Sequence, residues 1–170
     1  MEVALRREAK FICEDFDSVR DALAELGAQP GGVKLQTDYI FTRGDVPGGK
    51  IKARDEGGGV LLVYVYARAD DEREVRFDYF EIRDGGLVDL LRSLYGEPTI
   101  VRKRRERWAD RRFLFHLDEV EGVGNVFEIE TVGNAEPADL AVYGEKLRPY
   151  MRNKLDCSNE DLIVKRGRLP

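Results

Sequence analysis

The spacing of apolar and polar positions divides this chain into short segments of period two and a few of helical period. Residues 6–12 read as a first strand. In 15–26 the apolar side chains Phe16, Val19, Leu23 and Leu26 recur at helical spacing, and Gly27 supplies a stop. Residues 33–41 read as a strand, and 45–49, with one proline and two glycines, as a turn. Residues 50–55 alternate strictly, with Lys50, Lys52 and Arg54 on one face and Ile51 and Ala53 on the other. Gly57-Gly58-Gly59 reads as a hairpin turn into 60–68, a segment rich in Val, Leu and Tyr. Further strands are expected at 76–82, 99–108, 112–120 and 125–132. Helices are expected at 87–94, 138–151 and 159–164.

About eight strands in adjacent pairs joined by short turns imply an α+β chain with a mainly antiparallel sheet. Polar residues on one face and apolar on the other suggest an eight-stranded antiparallel β-barrel, a tunnel, with flanking helices. No linker or repeat interrupts residues 1–170, so one domain is expected. At 42% hydrophobic the chain can build a core, which excludes global disorder. The longest apolar run, 60–67, is far short of the ~20 residues of a membrane helix. Two cysteines, Cys13 and Cys157, make neither a disulfide framework nor a CxxC. No cationic-then-apolar export pattern opens the sequence, and a cytoplasmic address is the expectation.

Charge changes this picture. The chain is 36% charged, against about 25% in an ordinary domain, yet its net charge is only -5. That balance argues against bulk nucleic-acid binding. Residues 100–112 hold seven basic side chains, whereas 113–136 hold six acids and no Lys or Arg. Opposite charges on adjacent strands can pair across a sheet for a few tenths of a kcal/mol each. Strand parity offers another arrangement, with Lys103, Arg105 and Arg107 sharing a face, Glu128 and Glu130 another, and Arg6, Glu8 and Lys10 a third. Unpaired, such rows cannot face a dry core. They face solvent, or an interior that holds a polyanion and its metal, since hard oxygen ligands such as Glu8, Asp118, Glu128 and Glu130 suit Mg²⁺ or Mn²⁺.

Several segments resemble one family. Glu8-Ala9-Lys10 resembles the end of an ExExK strand, Gln36-Thr37-Asp38-Tyr39-Ile40-Phe41 a QxDxYF-like strand, and Gly49-Lys50-Ile51-Lys52-Ala53-Arg54 a GRLKLR-like strand. Tyr66-Ala67-Arg68 resembles YxR, Lys103-Arg104-Arg105 resembles KxR, the run from His116 to Gly124 resembles HLDxVEGLG, and Phe127-Glu128-Ile129-Glu130 resembles FxExE. In this order over residues 8–130, they resemble the CYTH-domain proteins, also called triphosphate tunnel metalloenzymes, and among these the class IV adenylyl cyclase branch.

The resemblance implies a triphosphate along the axis of an eight-stranded tunnel. The implied phosphate contacts are Lys10, Lys50, Lys52, Arg54, Arg68, Lys103 and Arg105, with Lys10 also implied in catalysis. The implied ligands for Mg²⁺ or Mn²⁺ are Glu8, Glu128 and Glu130, with Asp118 added. The implied substrate is ATP, inorganic triphosphate or thiamine triphosphate, the activity adenylyl cyclase-like or triphosphatase, and the alternative a non-catalytic binder. No nucleic-acid or membrane partner is expected, and the chain is expected to be a monomer or homodimer. The pattern departs from the family at Arg6, where the first acid of ExExK would stand, and at Leu114, where an arginine usually precedes the histidine.

His116, the only histidine, lies in a strand motif for which the resemblance implies a structural role, with a general base as the alternative; one histidine cannot make a zinc site. Tyr64, Tyr66 and Trp108 read as packing residues. The glycine run is no Walker loop, because no GK[ST] follows it.

Overall fold

The computed structural model describes residues 2–67, 74–83, 85–132 and 143–166, with side chains described except at 2–7, 74–77 and 165–166. The period-two segments pair into one antiparallel sheet. In chain order the elements are β1 (Glu2–Ile12), α1 (Phe16–Glu25), β2 (Gln29–Thr42), β3 (Gly49–Asp55), β4 (Val60–Ala67), β5 (Glu74–Arg83), α2 (Leu87–Tyr95), β6 (Thr99–Ala109), β7 (Phe113–Val120) and β8 (Gly124–Thr131). Then come α3 (Gly144–Leu147), a 3-10 turn (Arg148–Tyr150), β9 (Asn153–Leu155) and α4 (Asn159–Arg166). No described helix is long and apolar enough to cross a membrane.

The strand order is β5-β4-β3-β2-β6-β7-β8-β1-β9, with a further pairing of β5 to β1. Successive parts of β1 make the two joins: 2–7 pair with β5, and 8–12 with β8. Eight strands thus wrap round an interior, and β9 is added along residues 10–12 of β1. Between β3 and β4 the chain turns through Gly57, Gly58 and Gly59, with φ of 86°, 83° and 74°. Three successive positive φ values are inexpensive only for glycine.

The outer face of the wrap carries two apolar cores. α1, capped by Asp15 accepting from the Ser18 N–H at 3.0 Å, lays Phe16, Val19 and Leu23 on Phe11, Phe115, Leu117 and Phe127. α2 buries Leu91 against Phe41, Ile51, Ala53, Leu61 and Val63. The third core lies inside one end. Two residues beyond the interior charges Asp38, Lys103, Asp118 and Glu128 stand Ile40, Val101, Val120 and Val126, and Leu162 and Ile163 of α4 pack on that ring. Burial of these apolar faces, at about 25 cal/mol per Å², seats α4 as the closure of one end of the tunnel.

The expected α+β antiparallel tunnel is observed, with differences at its margins. β9 has three residues, too short for a period to register. β2 starts at Gln29, because Pro30-Gly31-Gly32 forms a bulge against β6 rather than a turn. In the segment expected to be helical at 138–151, residues 138–142 lie outside the described residues, and the remainder is helical only in α3 and the following 3-10 turn.

Candidate functional site

Cross-strand register gathers the charged rows. Arg54 lies opposite Asp38, Lys52 opposite Ile40 and Tyr64, Arg105 opposite Asp118, Lys10 opposite Glu128, and Glu8 opposite Glu130. Their shared face encloses a cavity of about 130 Å³.

The first wall is a relay of buried ion pairs. The Arg54 Nε and Nη2 donate to Asp38 at 2.6 and 2.8 Å. The Arg105 Nε and Nη2 donate to Asp118 at 2.7 and 2.6 Å. Between them, Lys103 Nζ lies 3.3 Å from Asp118 and 4.0 Å from Asp38. Two planar guanidiniums are thereby fixed by two-point contacts, the geometry arginine allows and lysine does not. Burial pushes both aspartates toward the neutral form, but Arg54 and Lys103 hold Asp38, and Lys103 and Arg105 hold Asp118, below the usual carboxylate range.

The second wall comes from β1 and β8. Lys10 Nζ lies 3.2 Å from Glu8 and 3.5 Å from Glu128. Glu128 also accepts from Arg105 Nη2 at 3.1 Å, joining the two walls. Though burial disfavours its charge, Lys10 and Arg105 hold Glu128 well below the ordinary range. His116 Nε2 lies 3.1 Å from Glu130 Oε2.

The third side is aromatic and closes on α4. Lys52 Nζ sits 4.5 Å from the Tyr64 ring centroid, and the Arg54 guanidinium 5.7 Å from it, in cation–π contact. Ser158, Asn159 and Glu160 complete the lining. Burial and then Arg54 bring the Lys52 pKa down to about 8, and burial and then Arg105 bring Lys103 down to about 8.

Those two lysines predict a pH dependence. A phosphate chain binds the ammonium form, so above about pH 8 the free protein must first take up protons. Affinity for inorganic tripolyphosphate, measured calorimetrically and corrected for protonation of the ligand's own terminal phosphates, is expected to be level below that pH. Above it, the fall approaches about tenfold per pH unit for each lysine that titrates. Lys52→Gln should weaken binding and make the fall shallower; an unchanged profile would remove Lys52 from the phosphate site.

Donor atoms of His116, Glu128 and Glu130 all lie within 4.8 Å of one another, and Glu8 stands across the ladder from Glu130. Three carboxylates on one wall are hard oxygen donors that fit a divalent cation such as Mg²⁺ or Mn²⁺.

Of the residues the sequence pointed to, Lys10, Lys52, Arg54, Lys103, Arg105, Glu8, Glu128 and Glu130 line this one cavity. Lys50 does not, and its Nζ contacts the Thr42 hydroxyl at 3.2 Å in an exposed position. Asp118 is fully buried behind the wall, engaged by two cations and outside the metal group. Arg68 lies outside the described residues, as does the side chain of Arg6, whose backbone is paired with Val75. Sequence reasoning missed Asp38, the lining by Tyr64 and Tyr66, the place of His116, and the contribution of α4. Asp38 had a signal, since its strand parity continues the face that carries Ile40 inward. The α4 residues had none, because their place depends on docking into the tunnel end.

A CYTH-domain family model matches residues 4–161. Solved structures share the fold. A Pyrococcus horikoshii OT3 protein, PH1012, is 22% identical with a TM-score of 0.78 over 93% of this chain and 99% of that one. A candidate adenylate cyclase from Vibrio parahaemolyticus is 16% identical with a TM-score of 0.69 over 96% and 99% of the chains. A Hippeastrum candidate adenylyl cyclase, described as having a dominant triphosphatase activity, is 16% identical with a TM-score of 0.67 over 98% and 97%. No curated protein matches the sequence.

Proposed function

This chain belongs to the CYTH-domain family, and from that premise we propose that it is a metal-dependent enzyme of the cytoplasm, a single domain over residues 1–170, that converts ATP to cyclic AMP and pyrophosphate. The observation that carries the reading is one cavity in which Lys10, Lys52, Arg54, Lys103 and Arg105 meet the carboxylates Glu8, Glu128 and Glu130. A triphosphate carries about four negative charges and needs this many donors together with a divalent cation. Mg²⁺ or Mn²⁺ held by Glu8, Glu128 and Glu130 would neutralise phosphate charge and polarise the attacked phosphorus.

The residues of the chain do the remaining work. Arg54 and Arg105, fixed from behind by Asp38 and Asp118, offer their remaining N–H groups to phosphate oxygens at no cost in reorganisation. Lys10, set between Glu8 and Glu128, stabilises the attacking ribose 3′-oxygen as its proton departs to solvent. That oxygen bonds to the α-phosphorus, the bond from the α-phosphorus to the α,β-bridging oxygen breaks, and pyrophosphate leaves held by Lys52, Lys103 and Arg105.

Hydrolysis is the second reading. The same cations address only a phosphate chain, so water could attack a terminal phosphorus of inorganic triphosphate, thiamine triphosphate or a nucleotide. The Hippeastrum candidate adenylyl cyclase, which shares this fold, is described as having a dominant triphosphatase activity.

Separation of products after incubation with ATP, inorganic triphosphate or thiamine triphosphate, each with Mg²⁺ or Mn²⁺, tests both. Cyclic AMP with pyrophosphate is expected; orthophosphate selects the hydrolase, and tight binding without product overturns the enzyme reading in favour of a binder. Glu130→Gln is expected to weaken Mn²⁺ binding at least about tenfold; unaltered affinity would remove Glu130 from the metal group.

A further inference from the structure

We infer that His116 is a positioning residue: through its Nε2–H it holds the Glu130 carboxylate in the orientation that binds the divalent cation. This rests on the metal-dependent reading above and deepens it. His116 is 3% exposed and Glu130 5%, with Nε2 and Oε2 3.1 Å apart.

The hydrogen bond assigns the tautomer. An ionised carboxylate only accepts, so the proton between the two residues belongs to Nε2. Nδ1, also buried, has no hydrogen-bond partner. A metal bound directly at Nε2 would move the ring proton to Nδ1, creating a buried donor without an acceptor. Ligating histidines ordinarily donate their other N–H to a partner, and none stands there among the described residues. The geometry therefore places His116 behind the carboxylate rather than on the cation, although its ring lies in the same cluster of donor atoms.

Two inward residues of β7 then act from behind the cavity wall. Neither His116 nor Asp118 lines the cavity. Two residues apart on that strand, one orients the acid that takes the metal and the other orients the cations Lys103 and Arg105 that take phosphate.

The test reads Mn²⁺ binding to the full chain, without substrate, from the paramagnetic resonance signal of free Mn²⁺. His116→Leu is expected to weaken affinity about 10- to 100-fold. His116→Gln, whose amide N–H can replace the donor, is expected to recover most of it. Because His116 acts through Glu130, adding His116→Leu to Glu130→Gln should weaken binding no further than Glu130→Gln alone. Pulsed resonance of Mn²⁺ on the unaltered chain should show no imidazole nitrogen coupling.

Such a coupling would make His116 a ligand and overturn the inference, and that measurement needs no variant to fold. Additive losses would overturn it too, as would wild-type affinity in a His116→Leu chain that melts like the parent. If the unaltered chain binds no Mn²⁺, the metal reading falls and this falls with it. If Glu130→Gln loses Mn²⁺ while His116→Leu keeps it, only this inference falls.

Discussion

Asp118→Asn is expected to destabilise the protein by about 3–5 kcal/mol and to make it far more responsive to tripolyphosphate than the parent. Asp118 has no exposed surface and holds Arg105 by two contacts and Lys103 by one. Removing its charge leaves two buried cations under-compensated, which costs more than the lost contacts alone. A bound phosphate chain supplies the missing negative charge, so ligand linkage should restore much of the loss. Urea denaturation at neutral pH, with and without tripolyphosphate, measures both effects. Equal stabilisation of parent and variant would show that Lys103 and Arg105 do not face the ligand. The pH trend has a definite sign. The folded-state pKa of Asp118 is lowered, so its contribution is complete above the ordinary carboxylate range and is lost as pH falls through the lowered value. The gap between parent and variant should therefore close in acid.

Arg105→Ala is expected to lower kcat/KM for the triphosphate substrate about 10²- to 10³-fold, the effect of removing one preorganised donor. Arg105 joins the walls of the cavity, at 2.6 Å from Asp118 and 3.1 Å from Glu128. Arg105→Lys should recover little, because a point charge cannot make the two-point contact that aims the guanidinium. Lys50→Ala is the contrasting variant. Lys50 faces Thr42 outside the cavity, and steady-state rates within about twofold of the parent are expected, since surface changes are normally small. A loss comparable to that of Arg105→Ala would bring Lys50 into the site.

Much of the site was legible as parity. Lys52 and Arg54, Lys103 and Arg105, and Glu128 and Glu130 each stand two apart on a strand, and a period of two leaves one face for each set; the intervening residue is apolar in the first and third (Ala53, Ile129) but is Arg104 in the second. Asp118 was legible as an inward acid but not as a partner of Arg105 and Lys103. Its role depends on β7 lying beside β6, a neighbourhood that residue types do not encode. His116 looked structural for the same reason, since Glu130 meets it only across the β7–β8 ladder. Tyr64 and Tyr66 have the character of core residues, and only the pairing of β4 with β3 sets Tyr64 against Lys52 and Arg54. The three-residue β9 and the docking place of α4, whose helix the sequence does predict at 159–164, were beyond local reading because their contacts are with distant strands.

By itself, then, the sequence determined the eight long strands, the charged rows that several of them carry on one face, and the helical stripe of α1. These follow from backbone geometry and from the cost of burying an unpaired charge, which are local constraints. The tertiary structure decided which charge meets which. It set Asp38 and Asp118 behind the cations, His116 behind Glu130, and α4 across one end of the tunnel. Those outcomes depend on strand order, on the return of β1 to both β5 and β8, and on the burial of an apolar end-ring, all set by contacts between residues far apart in the chain.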